Sequence, residues 1–279
     1  MTKIPLGEWV NQGVDTLLFY FGSAFDAFTD SVTSMTDAMR EGLDVVPWFI
    51  LVLLFAALAW RAKGWRLALG TTVGLCLIYN LELWPAFLDT LILVLLASLV
   101  SLVIGIPLGI LGARHNGFHR VLSPILDFMQ TMPSFVYLIP ALMFFSLGTV
   151  SAIFATVIFA MPPVIRLTAL GIRQVPADLV EVGEAFGSNS RQMLWKIQLP
   201  LALPTIMAGI NQTMMLSLSM VVISAMIGAQ GLGAGVLAGI SGMDIGKGFE
   251  YGLAVVILAM ILDRLSQGAL RNSRVAKKI

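Results

Sequence analysis

Charge is scarce in this chain: only 12% of its 279 residues are Asp, Glu, Lys or Arg, whereas 58% are hydrophobic and the mean hydropathy is +0.90. Soluble domains are about 25% charged and about 45–50% apolar. A soluble core cannot bury so much apolar surface, so the composition predicts a protein that is covered by lipid. The single cysteine, Cys76, lies in an apolar run and excludes an intrachain disulfide framework.

Motifs that carry catalysis are also missing. A P-loop needs G-x-x-x-x-G-K-[ST] to cradle phosphates, but the only Gly-Lys pair, Gly246-Lys247, is followed by Gly248. His115 and His119 are four residues apart, but Asn116-Gly117 interrupts the helix that a metal pair would need. We therefore expect no ATP site, no metal site and no enzymatic activity in this chain. The first residues also lack the features of a secretory signal peptide.

Long apolar runs, in contrast, recur along most of the chain. About seven of them approach the roughly 20 residues that a membrane-crossing helix needs. The predicted spans are 45–60, 65–81, 86–111, 121–146, 149–170, 201–228 and 250–268. The predicted fold class is therefore all-α, with one polytopic membrane domain over residues 45–268.

The distribution of Lys and Arg predicts the orientation of these spans. With the N-terminus outside, only Lys3, Arg40 and Lys247 fall on the outer side, which leaves 14 of the 17 basic residues inside. Cytoplasmic loops carry this excess of positive charge. The pattern favours an odd number of spans, N-out and C-in, and places the loop 172–200 in the cytoplasm. The basic tail, residues 269–279, is placed on the same side.

The first 44 residues differ in character from the rest. They carry seven acidic residues against Lys3 and Arg40. Apolar residues from Val10 to Phe28 recur at helical spacing, which predicts an amphipathic helix. Because Asp15 and Asp26 disfavour a crossing, we expect this helix to lie at the outer interface. Simple packing and contact with an external partner both remain open as its role.

The loop 172–200 contains the most informative pattern of the sequence. Pro176 suits the first turn of a helix, and Gly187 suits its end, because glycine adopts the left-handed conformation at little cost. Ser188 or Asn189 is then a candidate cap for a second helix over 190–198, which Pro200 is expected to end. The segment is predicted to form a helix, a sharp turn, a second helix and a span.

The spacing of Glu181, Gly187 and Ile197-x-Leu199-Pro200 resembles the EAA loop, the cytoplasmic signature of permease subunits in ABC importers. Val182-Gly183 stands where that family usually has two alanines, and Glu184-Ala185 offers a second EA pair. The resemblance implies a short helix that docks in a groove of a separate ATPase. The residues that it implies for this coupling loop are Asp178, Glu181, Glu184, Ala185, Phe186, Gly187, Ile197, Leu199 and Pro200.

The resemblance extends over residues 45–268. The runs 126–141, 159–179 and 208–233 look like the permease of glycine betaine/proline betaine importers, which implies a type I ABC importer permease with a MetI-like core. It implies import of quaternary ammonium osmolytes for osmoprotection, in a multi-pass protein of the inner membrane. Choline, carnitine or proline are alternative substrates. An ion-coupled secondary transporter and a passive osmotic channel are rival classes.

The resemblance also implies the partners. These are a second copy of the permease in a homodimer, two ATPase subunits, an extracytoplasmic substrate-binding protein and the lipid bilayer, with no role for nucleic acid. This chain is expected to hold no cofactor, since ATP and Mg²⁺ would be bound by the partner ATPase. The ATPase subunits would therefore supply the energy, and the substrate-binding protein would do most of the substrate selection.

Three further groups of residues are candidates for function. Aromatic faces hold quaternary ammonium cations, and the candidate path residues are Phe128, Phe135, Tyr137 and Phe144. The glycine-rich outer loop is a candidate gate or binding-protein contact, with a simple turn as the alternative; its residues are Gly228, Gln230, Gly231 and Gly233. Ionisable residues inside a span are also candidates, and Asp127 is the best candidate for a structural pair, with Arg166 as a possible partner.

Overall fold

The computed structural model of the chain describes residues 5–271, and all regular secondary structure within that range is helical. The first half contains α1 Leu6–Val45, α2 Trp48–Lys63, α3 Trp65–Asn80, α4 Trp84–Arg114, α5 Asn116–Thr131, a 3₁₀ turn Ser134–Tyr137 and α6 Leu138–Phe145. The second half contains α7 Thr149–Ala160, α8 Pro162–Arg173, α9 Ala177–Ala185, α10 Ser190–Gln192, a π-helix Met193–Gln198, α11 Leu199–Ala225, α12 Leu232–Ser241 and α13 Ile245–Arg271. The basic residues predicted for the tail from 272 onward lie outside the described residues.

Four helical stretches are long and apolar enough to cross a membrane: Trp84–Arg114, Thr149–Arg173, Ser190–Ala225 and Ile245–Gly268. Two sharply bent pairs, α1 with α2 and α5 with the segment Ser134–Phe145, raise the number to six if each pair is one span. By length and composition, the described residues thus offer four to six spans where the sequence predicted about seven. The all-α, multi-pass fold is confirmed, whereas the N-out, C-in orientation stays a prediction.

The span predicted over 121–146 is not one straight helix, although the bent pair can still form one span. Helix α5 ends at Thr131, and the segment Ser134–Phe145 leaves it at an angle of 110°. Met132 is extended, with φ −69° and ψ 136°, because a residue before proline is driven out of the helical region. Pro133 therefore divides a run that is uniformly apolar in sequence.

Helices α2 and α3 occupy the first two predicted spans, and each has 16 residues. At 1.5 Å per residue this gives about 24 Å, which is shorter than the roughly 30 Å of a bilayer core. Gly64, with φ 93°, forms the turn between them. Their outward side chains are large and apolar, among them Leu53, Trp60 and Val73, so lipid is a suitable neighbour. Whether both helices cross the membrane stays a prediction.

The centre of the bundle is built from α4, α7, α8 and α11. Glycines allow these helices to approach closely, as small residues do in membrane bundles. A β-carbon at Gly109 would lie 2.6 Å from Thr168 Cβ, and one at Gly209 would lie 3.0 Å from Leu167 Cβ. The close contact of α8 with both α4 and α11 fixes the position of the loop that follows α8.

Helix α1 is a single amphipathic helix of 40 residues, as the apolar spacing predicted. It meets α2 at 98°, and its second half packs on the rest of the chain. Phe25 lies 4.9 Å from Phe144 between ring centroids, and Arg40 pairs with Asp89 of α4 at 2.8 Å. Its placement at the outer interface remains a prediction.

Candidate coupling site

The C-terminal end of α8 leads into α9, the first arm of the loop that resembles the EAA motif. Pro176 is the N-cap of α9, one position before the predicted first turn, and Asp178 lies in that turn. A negative side chain there is favoured by the helix dipole. The placement explains why proline is tolerated, because its missing N–H needs no partner at a helix start.

Gly187 ends α9 in the left-handed conformation that its position predicted, with φ 75°. The N–H of Gly187 donates to Glu184 O at 2.8 Å, and the N–H of Ser188 donates to Gly183 O at 3.0 Å. These two bonds form a Schellman motif, which satisfies carbonyls that the helix end leaves unpaired. A β-carbon at Gly187 would meet nothing within 4 Å, so only the backbone angle selects glycine here.

The second arm starts at Asn189, which is the cap of the two candidates named from the sequence. Its side chain accepts from the N–H of Gln192 at 2.8 Å, and its own N–H donates to Gln192 Oε1 at 2.9 Å. This reciprocal pair is a capping box. The turn between α9 and α10 is therefore closed by hydrogen bonds on both sides.

The expectation that Pro200 ends the second helix is wrong. The chain continues from Ser190 to Ala225 as one helical stretch of 36 residues, with a π-helix over Met193–Gln198 just before the proline. A proline inside an α-helix clashes with the carbonyl four residues before it. The wider π turn accommodates this strain, so the cytoplasmic arm and the membrane helix remain continuous.

Gly183 joins the two arms, and it is a residue that the sequence reasoning treated only as a departure from the family pattern. It is buried, and a β-carbon there would lie 2.6 Å from Ile197 Cδ1 and 2.7 Å from Met193 Cε. The missing β-carbon lets α9 lie flat on the π-helix. The partly buried Ile197 therefore acts as packing within the loop, and the departure at position 183 was the signal for it.

The surface of the loop carries exposed apolar side chains. Phe186 is 86% exposed at the tip, Trp195 is 61% exposed, and Val182 is also exposed. The predicted residues Asp178, Glu181, Glu184, Ala185 and Gly187 are exposed as well, whereas Leu199 and Pro200 are partly buried. A projecting turn with an apolar tip and an acidic flank has the form of a docking knob, named here the coupling knob (residues 177–187).

A cleft of about 870 Å³ separates the coupling knob from the inner ends of α4 and α8. Glu181 and Glu184 line one wall, and Arg114 and Arg173 line the other. The guanidinium of Arg114 donates to Ser190 O at 3.3 Å, and that of Arg173 donates to Gly112 O at 2.8 Å. Arg114 thus ties the second arm to α4, Arg173 ties α8 to α4, and both positive charges offset the acidic wall.

The outer glycine-rich loop is placed differently from the coupling knob. Gly228 and Gln230 are exposed, whereas Gly231 and Gly233 are buried. A β-carbon at Gly231 would lie 2.5 Å from Thr90 Oγ1, and one at Gly233 would lie 2.2 Å from Val221 O. The chain itself therefore covers Gly231 and Gly233 in this conformation. The role predicted for the loop, a gate or a contact with the binding protein, stays a prediction.

The four candidate path aromatics do not share one surface. Phe128 and Phe135 are exposed, and their role in a path stays a prediction. Tyr137 is buried and donates its hydroxyl to Met129 O. Phe144 packs on Phe25 of α1. The break at Pro133 separates Phe128 from the other three, because it turns the second half of the predicted span away from the first.

Comparison with known proteins identifies the family of this chain. The sequence pattern of the family described as "Binding-protein-dependent transport system inner membrane component" matches residues 105–271. The chain belongs to this family. It is therefore a permease component of a transport system in the inner membrane, and the matched region spans α4 to α13, including the coupling knob.

Relatives extend the similarity over the whole chain. The glycine betaine transport system permease protein OpuAB of Bacillus subtilis is 48% identical over 100% of this chain and 97% of its own length. The glycine betaine/carnitine transport permease protein GbuB of Listeria monocytogenes is 50% identical over 95% of both chains. The glycine betaine/proline betaine permease ProW of Escherichia coli is 47% identical over 98% of this chain and 77% of its own length.

Solved structures confirm the fold of this permease component. A chain of the MetNI methionine ABC transporter in an inward-facing conformation has a TM-score of 0.61 with 23% identity, covering 66% of this chain and 92% of its own. A second crystal form has a TM-score of 0.58. The similarity supports the MetI-like core that the sequence predicted.

Proposed function

We propose that this chain is the membrane-spanning subunit of an ATP-driven importer of glycine betaine and related quaternary ammonium osmolytes. The coupling knob is the observation that carries the proposal, because a channel or an ion-coupled carrier needs no cytoplasmic turn with an exposed apolar tip. The substrate class is supported by three relatives that match 95–100% of this chain at 47–50% identity and whose names all include glycine betaine.

The coupling knob is proposed to dock in a separate ATPase subunit, which binds ATP and Mg²⁺. Phe186 at its tip has the size and exposure of an interface anchor, since large aromatic residues dominate binding energy at protein interfaces. The helical stretch Ser190–Ala225 starts next to this tip. Its 36 residues extend about 54 Å at 1.5 Å per residue, so a displacement at the ATPase is carried through the membrane.

The outer end of that helical stretch meets the other outer loop. The N–H of Gly148, before α7, donates to Ile227 O at 2.9 Å. Movement of α11 would therefore shift both outer loops together. This link supports an alternating opening of the outer and inner sides, driven from the cytoplasm.

The proposed assembly contains two copies of this chain, two ATPase subunits and an external substrate-binding protein. A single chain presents a single coupling knob, so two motors require two permease copies. The acidic, exposed half of α1 and the exposed Gly228 and Gln230 are the outer surfaces available to the binding protein. Carnitine, choline and proline remain alternative substrates, and the name of the Listeria relative includes carnitine.

Reconstitution tests this function. The chain should co-purify with an ATPase, and vesicles that contain both should accumulate glycine betaine only when ATP and the binding protein are supplied. Accumulation driven by a proton or sodium gradient without ATP would instead support the secondary transporter. Downhill flux without either energy source would support the channel.

A further inference from the structure

An ion pair joins α5 to α8, away from the coupling knob. Arg166 Nη2 of α8 donates to Asp127 Oδ1 of α5 at 2.5 Å, which is the pairing considered from the sequence. Arg166 precedes the end of α8 at Arg173 by seven residues, or about 10 Å along the helix. The pair therefore lies within the stretch Thr149–Arg173 that is long and apolar enough to span.

The pair is too exposed to be a buried structural bridge. The side chain of Asp127 is 65% exposed and that of Arg166 is 38% exposed. Charged side chains within spans face a bundle interior or a water-filled cavity, because contact with lipid is costly. The open side of this pair must therefore face water or protein in the working transporter.

Two exposed amides lie on the neighbouring helices. Gln130 is exposed one turn further along α5, and Gln212 is exposed near the middle of α11. Gly209 of α11 packs against Val164 and Leu167 of α8, which puts Gln212 about one helical turn from the level of Arg166. Asp127 and Gln130, one turn apart, thus give α5 an exposed polar segment.

A cleft of about 500 Å³ lies between α5 and α8 beside the pair. Leu122, Leu126 and Ile165 form apolar walls, and Arg166 lies among the lining residues. Ligand pockets have volumes of about 300–1,000 Å³ and combine apolar walls with a few polar groups. The Nε of Arg166 is buried without a partner among the described residues, but the side chain as a whole is 38% exposed, so the outer nitrogens of the guanidinium are the ones that can meet a carboxylate.

We propose that Asp127 and Arg166 form a binding station for a zwitterion in a water-filled path. The station rests on the proposed function, which supplies a solute with a quaternary ammonium and a carboxylate. The solute's carboxylate binds Arg166 while its ammonium faces Asp127, so that each charge keeps an opposite partner. When the solute leaves, the two side chains pair again, and neither charge is left uncompensated.

Uptake by the complete transporter tests the station. In vesicles with ATP and saturating binding protein, Asp127→Asn and Arg166→Gln should each lower maximal glycine betaine uptake by about tenfold or more, the loss expected for one hydrogen bond to a charged group. Stimulation of ATP hydrolysis by the binding protein should change by less than about twofold, because the coupling knob is intact. Arg264→Gln, at an exposed position near the inner end of α13, is the matched control and should retain uptake.

The exchanged variant Asp127→Arg/Arg166→Asp separates a station from a structural bridge. It restores an ion pair between α5 and α8 but reverses its direction, so a station stays impaired while a structural bridge is rescued. Uptake near the unmodified level in this double variant would overturn the proposal. So would unchanged uptake in both single variants.

Solvent access gives a second measurement that does not depend on transport by a variant with altered charge. In a Cys76→Ser background, Gln130→Cys should react with a hydrophilic thiol reagent in the nucleotide-free transporter, and glycine betaine should slow the reaction by about threefold or more, as occupancy of a nearby site predicts. An unreactive thiol, or one that glycine betaine does not protect, contradicts the station. A transporter that accumulates no glycine betaine with ATP would contradict the proposed function and the substrate class of the station.

Discussion

Two glycines with left-handed backbones, Gly187 and Gly231, lie at opposite ends of α11, in the turn before α10 and in the turn before α12. Their φ angles are 75° and 114°. A β-carbon at Gly187 would meet nothing within 4 Å, whereas one at Gly231 would lie 2.5 Å from Thr90 Oγ1. The same residue type thus serves a projecting turn in one place and a tightly packed turn in the other.

These two turns show how an exposed turn that suits docking differs from a turn that is packed within the chain. At Gly187 the turn is closed by its own hydrogen bonds and the surface beyond it is free, so the chain's own stability does not explain the exposed Phe186 beside it. At Gly231 the chain folds back on α4, where the N–H of Leu232 donates to Thr90 Oγ1 at 2.8 Å. We infer that the cytoplasmic turn is shaped for a partner and that the outer turn is shaped mainly by contacts within the chain.

The largest effect on stability is expected for Gly231→Ala. The new methyl group would overlap Thr90 Oγ1 and disturb its bond to Leu232, in addition to the strain of a positive φ, which together cost about 2–4 kcal/mol. Thermal unfolding in detergent should show a clearly lower midpoint, with basal and binding-protein-stimulated ATPase activity falling together. Gly228→Ala controls for the overlap alone: it shares the strain of a positive φ, 87°, but its β-carbon would lie 3.4 Å from Gly148 N, so it should lower the midpoint less. Selective loss of the stimulated activity would instead favour a direct contact with the binding protein.

A smaller effect on stability but a complete loss of coupling is expected for Gly187→Val. The left-handed angle costs a non-glycine residue about 1–2 kcal/mol, which a packed membrane bundle tolerates. The variant should insert in the membrane, and ATP-driven uptake should be lost because the coupling knob is misdirected. Gly187→Asn should retain both membrane insertion and ATP-driven uptake, since asparagine adopts this conformation more readily. Normal uptake by Gly187→Val would remove the turn from the coupling mechanism.

The orientation of the two turns is tested by labels that should leave stability unchanged. In a Cys76→Ser background, cysteines placed at Lys3 and Lys247 should react with a membrane-impermeant thiol reagent in intact cells, and one at Lys277 should not. This follows from the charge distribution across the predicted spans. Labelling at position 277 from outside would place Gly187 on the outer side and Gly231 on the cytoplasmic side. This is the reverse of the predicted orientation and would overturn it.

The coupling knob was largely predictable from the sequence because its determinants are local. Gly187 shows its conformation through helix capping, and Asn189 was one of two candidate caps for the second arm, although its reciprocal bond with Gln192 was not foreseen. The continuity through Pro200 was not predictable, because it depends on a π-helix that packs under Gly183. Local signals thus located both arms of the loop but not the join between its second arm and the membrane helix.

The candidate translocation path was less predictable, because it depends on contacts between residues that are far apart in the sequence. Phe128 and Phe144 appear on one stripe only if residues 121–146 form a straight helix, and Pro133 prevents this. The pairing of Asp127 with Arg166 brings together residues 39 positions apart, a contact that no local pattern encodes. The burial of Gly231 likewise depends on α4, which lies more than 100 residues earlier in the chain.

The most direct test of the coupling claim is the affinity of the chain for its ATPase. It is measured in detergent for three proteins. The unmodified chain is compared with Phe186→Ala and with Phe128→Ala, a matched control because Phe128 is also exposed, at 65%. If Phe186 anchors the ATPase, its loss should weaken binding by about thirtyfold or more, as for an interface hot spot, and Phe128→Ala should bind like the unmodified chain. Equal affinity for all three proteins would contradict the account.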